Sequence, residues 1–273
     1  MINNILSMFS YNFMIRSFIV GILISLCSSL IGVSLVLRKN SMIGDGLSHV
    51  GFGAFAFAIV FGVAPLQFAI PVVIIASFMI LRLNENNEIH GDAAIALVSA
   101  SALALGTFII SITNGVNIDI NSYLFGSILS INDTDVIVCI ILSIFVLVWY
   151  IFSYNKIFAI TFDEKFSKSI GINTYLYNVI FSILCSLVVV LGMRLIGSLL
   201  ISSLIIFPTL SSMQLFKNFK SVVISSVVIS LISFSSGLII SYLYSTPTGS
   251  TIVIVNLLIL IIFRLFSCFR NIK

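Results

Sequence analysis

Two side chains with a strong affinity for divalent metals stand four residues apart in Ser41-Met-Ile-Gly44-Asp45-Gly46-Leu-Ser48-His49-Val-Gly51-Phe-Gly53-Ala54. Residues i and i+4 share one face of a helix, so the Asp45 carboxylate and the His49 imidazole converge on one point, with Ser48 beside them. A carboxylate oxygen and an imidazole nitrogen make half a site for zinc or manganese. One copy supplies too few ligands to close such a site, whereas a second copy across a two-fold axis gives two Asp and two His. The competing reading is that Asp45 and His49 hydrogen-bond each other or a neighbour near a membrane edge, because Arg38 and Lys39 lie close by in sequence. Metal binding needs the neutral imidazole, so acid should weaken it. A Ser-His catalytic pair fits worse. Adjacent Ser48 and His49 point in different directions on a helix, which a nucleophile and its base cannot do.

A second stretch carries recognition chemistry: Thr161-Phe162-Asp163-Glu164-Lys165-Phe166-Ser167-Lys168-Ser169-Ile170-Gly171. Thr161 and Glu164 have capping-box spacing, and Gly171 is a helix stop. Phe162, Phe166 and Ile170 then form one apolar stripe on a short, otherwise polar helix, suited to a groove in a soluble partner. Packing beneath a bundle or flat on a membrane would use the same stripe. Three other features read as structural. His90 is a solvated loop histidine next to an N-capping Asp92. Pro208 should kink or break its helix, with Ser202, Ser203, Ser211 and Ser212 near enough to satisfy the backbone. Thr246-Pro247-Thr248-Gly249 is a turn followed by a helix start.

The elements that hold these residues follow from composition. Hydrophobic residues make up 60% of the 273 and charged residues only 8%, against about a quarter charged in soluble chains. One apolar stretch follows another at roughly the 20 residues that cross a bilayer as a helix, and the alternating segments of a transmembrane barrel are missing. The expectation is an all-α polytopic bundle with spans near 15–37, 41–62, 64–82, 92–113, 134–153, 173–193, 196–215, 221–243 and 250–267. The segment 196–215 is the weakest and a candidate for re-entry, leaving about eight or nine spans.

Eleven of the thirteen basic residues fall on one side of this arrangement, from Arg38 and Lys39 through Lys156, Lys165 and Lys168 to Arg264, Arg270 and Lys273. That side is cytoplasmic by the positive-inside rule, so the N-terminus lies outside and the C-terminus inside. Arg16 and Arg194 are the exceptions. The net charge of +4 is not gathered into a patch, which argues against nucleic acid. Cys27, Cys139, Cys185 and Cys268 lack metal or redox spacing and read as small buried hydrophobes. The first apolar stretch lacks a cleavage pattern and reads as a retained span. Loops are too short for a second domain, so residues 1–273 form one membrane domain. No phosphate-binding G-x-x-x-x-G-K-[ST] motif occurs in the sequence.

Together these stretches resemble the permease subunits of ABC-type zinc and manganese importers. The resemblance rests on Gly44-Asp45 with Ser48-His49, Gly91-Asp92-Ala93-Ala94-Ile95, Tyr123-Leu124-Phe125-Gly126-Ser127, Phe162-Asp163 through Gly171, Ile196-Gly197 through Pro208, and Pro247-Thr248-Gly249-Ser250-Thr251. Their order covers residues 30 to 260. Thr248 departs from the pattern, since many relatives carry a second Pro there. The resemblance implies a homodimeric permease in the bacterial cytoplasmic (inner) membrane, with two separate ABC ATPase subunits beneath it and an extracytoplasmic binding protein delivering metal. It implies that Asp45 and His49 hold Zn2+ or Mn2+ in transit, with no permanent cofactor. It also implies that 161–171, with Phe162, Asp163, Phe166, Ile170 and Gly171, couples to the ATPase. The wording around Asp45 sits closer to zinc than to manganese members. Two rivals are an ion-gradient carrier, which needs no ATPase, and an intramembrane hydrolase, for which facing nucleophile and base residues are not apparent.

Overall fold

The computed structural model describes residues 8, 10–85, 91–113, 126 and 131–271. Its helices, in chain order, are α1 (Asn12–Leu37), α2 (Ile43–Val60), α3 (Pro65–Glu85), α4 (Gly91–Ile112), α5 (Asp133–Phe162), α6 (Glu164–Ser169), α7 (Thr174–Ile196), α8 (Ser198–Leu215), α9 (Phe219–Tyr244) and α10 (Thr248–Asn271). The described residues contain no strand. The protein is a multi-pass helical membrane protein, as composition requires, and each of the nine expected spans corresponds to one long helix.

Eight of these helices are long and apolar enough to cross a bilayer. The segment suspected from sequence, 196–215, is among them: it forms α8, which continues as a helix through Pro208. The serines near Pro208 act differently from expectation as well. Ser203 Oγ donates to the Leu200 carbonyl, Ser212 Oγ to the Pro208 carbonyl, and Ser211 Oγ is buried without a partner. The expected turn at 246–249 is present: Ser245 caps α9 in the left-handed region, and Ser241 Oγ reaches both the Thr246 carbonyl and Thr248 Oγ1.

Position in the bundle follows from how much of each span is covered. Within their spanning segments α1 and α7 are 72% buried, whereas α4 and α10 are only 11% buried. The outer helices therefore turn Leu105, Phe108, Ile262 and Phe266 outward. That surface would aggregate in water and is what a hydrocarbon solvent requires. Lipid tails are as apolar as leucine, so helices associate through close packing and hydrogen bonds. Glycines provide the first. A Cβ on Gly53 would lie 2.5 Å from the Ala102 carbonyl oxygen, and one on Gly106 would lie 2.8 Å from Gly53 Cα, so α2 and α4 touch backbone to backbone. Buried hydroxyls provide the second, as where Ser230 Oγ on α9 donates to the Ser25 carbonyl of α1 at 3.0 Å.

The two basic residues that break the one-sided pattern are neutralised within the fold. Arg16 on α1 forms a two-pronged pair with Asp133 at 2.7 and 2.8 Å, and Arg194 on α7 pairs with Asp135 at 3.1 Å. Both partners sit in the first turn of α5, where a carboxylate also offsets the positive end of the helix. Of the cysteines, Cys27, Cys139 and Cys185 are buried as expected, but Cys268 is exposed on α10, because that helix lies at the rim. All four are free thiols.

Candidate metal site

Helix α2 begins at Ile43, two residues into the stretch singled out in the sequence, and Asp45 falls in its first turn. There the helix end favours a negative charge. The i, i+4 relationship holds: His49 Nε2 lies 3.5 Å from Asp45 Oδ2. Ser48 Oγ bonds back to the Asp45 carbonyl at 2.7 Å and so braces the helix. The Asp45 and His49 side chains keep 38% and 31% of their surface open, while His49 Nδ1 is buried without a hydrogen-bond partner. An ionisable pair in an apolar span needs a reason to be there.

The surrounding glycines are what let the pair sit among three other helices. A Cβ on Gly44 would stand 2.6 Å from Ile205 Cδ1 of α8, and one on Gly46 would stand 2.5 Å from Ile95 Cγ2 of α4. Gly51 likewise admits Met193 of α7. Sequence reasoning expected close approach by another helix, and the structure delivers three. Gly32 of α1 also meets the Ile205 backbone, with a Cβ there 3.0 Å from the Ile205 carbonyl carbon. Asp45 and His49 therefore occupy the partly open face of α2, between the buried Gly44, Gly46, Ser48 and Val50.

One contributor was missed from sequence. Ser202 Oγ on α8 lies 3.3 Å from Asp45 Oδ1 and also within 3.1 Å of the Ser198 carbonyl. Sequence reasoning assigned Ser202 to the backbone around Pro208. The sequence carries no signal that separates it from the neighbouring hydroxyls Ser198 and Ser203 of the same helix. Among the described residues no three His, Cys, Asp or Glu side chains gather as metal ligands. His90 and residues 119–125 lie outside the described residues, while Asp92 opens α4 exposed.

The second functional stretch also takes shape, with one correction. The capping box expected from Thr161 and Glu164 does not form. Helix α5 runs on to Phe162, so Thr161 is buried inside it with its Oγ1 unpartnered. The cap of α6 is Asp163, whose Oδ1 accepts the Phe166 amide at 2.8 Å. Glu164 instead accepts a hydrogen bond from Asn178 Nδ2 of α7 at 2.8 Å. Gly171 ends the element with φ +87°, a conformation glycine adopts without steric cost. The stripe is real: Phe162, Phe166 and Ile170 are 60%, 58% and 56% exposed. Phe162 is also held by the rings of Phe158 and Phe219, with centroids at 5.0 and 6.1 Å.

Two of the sequence motifs meet directly. Gly126, with φ +75°, packs on the Ile196–Gly197 backbone, where a Cβ would lie 2.6 Å from Gly197 N. A family model described as the ABC 3 transport family matches residues 10–267. The chain belongs to the ABC 3 transport family. Among curated relatives in this family, it is 30% identical over 244 residues to the high-affinity zinc uptake system membrane protein ZnuB of Haemophilus influenzae, covering 89% of this chain and 94% of that one. It is 28% identical over 252 residues to the manganese import system permease protein ScaB of Streptococcus gordonii, covering 92% and 90%. The solved structure of PsaBC from Streptococcus pneumoniae in complex with Fab is similar at a TM-score of 0.84 and 26% identity, covering 96% of this chain and 95% of that one.

Proposed function

We propose that this ABC 3 family member is the membrane-spanning permease subunit of an ATP-driven importer for a divalent transition metal, zinc before manganese. The observation that carries the reading is the convergence of Asp45 and His49 on the partly open face of α2. Tetrahedral zinc holds oxygen and nitrogen ligands at about 2.0–2.2 Å, which sets two such ligands about 3.3–3.5 Å apart. The 3.5 Å between His49 Nε2 and Asp45 Oδ2 therefore accepts an ion without rearranging α2.

One copy offers two ligands, so the full site needs two copies, each contributing Asp45 and His49. Two carboxylates neutralise a divalent charge, and two neutral imidazoles complete four-fold coordination. In this reading Ser202 fixes one Asp45 oxygen and leaves the other for the metal. The basic ends, including α6, face the cytoplasm of a bacterial cell. There Phe166 and Ile170 dock into ATPase subunits, while a binding protein delivers metal at the opposite face. ATP binding and hydrolysis in the partners move α6, the bundle rocks, and the site opens inward. The permease itself performs no covalent chemistry.

The deciding experiment is uptake into proteoliposomes holding the permease, its ATPase and its binding protein, with zinc and manganese compared. ATP-dependent accumulation of either ion supports an importer, and the preferred ion selects between them. Uptake driven by an ion gradient without the ATPase would instead establish a carrier.

A further inference from the structure

Helix α6 and the start of α2 are joined by a chain of polar side chains. Glu164 Oε1, on the first residue of α6, accepts from Asn178 Nδ2 at 2.8 Å. Asn178 Oδ1 in turn accepts from Arg38 Nη1 at 2.9 Å. Asn178 is 3% exposed, so its amide spends both ends on these two partners and is closed to water. Only an amide suits the middle position, because it donates to the carboxylate and accepts from the guanidinium at once. The guanidinium also lies over the Phe181 ring at 5.5 Å, which fixes its plane.

Arg38 is the C-cap of α1 and opens the turn into α2. That turn is tight. Lys39 is held at φ +61°, the Asn40 amide bonds back to the Leu35 carbonyl at 2.9 Å, and the Ile43 amide to the Asn40 carbonyl at 3.2 Å. A non-glycine residue kept in the left-handed region marks a segment determined by its surroundings. Beside the chain lies a cavity of about 40 Å3 whose walls include Arg38, Asn178, Asn40 and Ile43. The cavity thus reaches from the chain to the first residue of α2, two positions before Asp45.

We propose that Glu164, Asn178 and Arg38 form a relay that carries displacement of α6 to the 38–42 turn, and so to the metal helix. The three are positioning residues: none touches metal or nucleotide. The inference rests on α6 being the ATPase-coupling helix. A shift of Glu164 pulls the Asn178 amide and, through it, the guanidinium that anchors the turn. Loss of the relay should leave partner subunits bound and hydrolysing while Asp45 no longer follows.

The test is metal ions taken up per ATP hydrolysed, measured for zinc and for manganese in proteoliposomes of the full assembled complex. In Asn178→Asp, two carboxylates face each other and the relay breaks. Uptake per ATP should fall at least five-fold with complex yield and hydrolysis within two-fold of the parent. In Asn178→Asp with Glu164→Gln, the new amide donates to the new carboxylate, which still accepts from Arg38, and the ratio should recover to within two-fold. An unchanged ratio in Asn178→Asp, or no recovery in the double variant, overturns the relay. Should Asn178→Asp fail to assemble, Glu164→Ala on its exposed side chain replaces it, and a parental ratio there overturns the relay equally. Phe166→Ala is run in parallel. If it leaves ATPase association intact, the coupling-helix reading has failed; if it weakens association while the relay variants keep a parental ratio, the relay alone has failed.

Discussion

Ser202 Oγ on α8 sits 3.3 Å from Asp45 Oδ1 on α2, tying a hydroxyl from one helix to the carboxylate proposed to hold metal on another. The bond fixes the carboxylate plane and leaves Oδ2 turned toward His49. Ser202→Ala removes the hydroxyl without adding bulk. A hydrogen bond of this kind contributes about 1 kcal/mol, so metal uptake at limiting concentration should fall roughly five-fold with assembly unchanged. Titration of uptake against metal concentration checks this, and a parental curve would remove Ser202 from the site.

Asp45→Asn keeps size and removes the charge, while His49→Ala removes a ligand. Each should abolish uptake while the dimer and its ATPase still assemble. Structural residues would lower assembly and uptake together, so the informative quantity is uptake per assembled complex. Near-parental uptake per complex in both variants would sink the assignment.

The site was half legible in the sequence. The Asp45–His49 spacing and the run of small residues needed only helical periodicity, because both ligands belong to one element. Ser202 lies 157 residues from Asp45, and local pattern carries no information on which face of α8 meets α2. The same limit explains Glu164. Its spacing from Thr161 suggested a local cap, but α5 continues through Thr161, and the carboxylate goes to Asn178 on α7 instead. The fold was more legible, since nine apolar stretches become nine long helices. What escaped was depth within the bundle, which left Cys268 exposed on α10.

Phe166 stands 58% exposed on α6, so its replacement should cost little to the bundle. If it anchors an ATPase groove, Phe166→Ala loses about 2 kcal/mol or more of binding, a drop of roughly thirty-fold. Pull-down of the ATPase with detergent-solubilised permease measures it. Normal association together with normal transport would show that the stripe packs elsewhere.

Orientation can be read with single cysteines on exposed positions. Cys268 is itself exposed, so Cys268→Ser is the required background. The positive-inside rule places Ser169, at the end of α6, in the cytoplasm and Thr246, between α9 and α10, outside. In intact cells Thr246→Cys should react with an impermeant maleimide and Ser169→Cys should not. The reverse labelling would invert the topology and remove α6 from reach of an ATPase.

The contact of Gly53 with Ala102 and Gly106 has a practical corollary. Two helices touching backbone to backbone along small residues pack closely enough to be expected to move largely as one body. Displacement of α2 is then expected to carry α4 with it, and α4 turns Leu105 and Phe108 to the bilayer. A fluorophore placed at Leu105 therefore works as a gauge mounted on the outside of the machine, reporting movement of the buried helix from a position where no substrate, nucleotide or partner has to be disturbed.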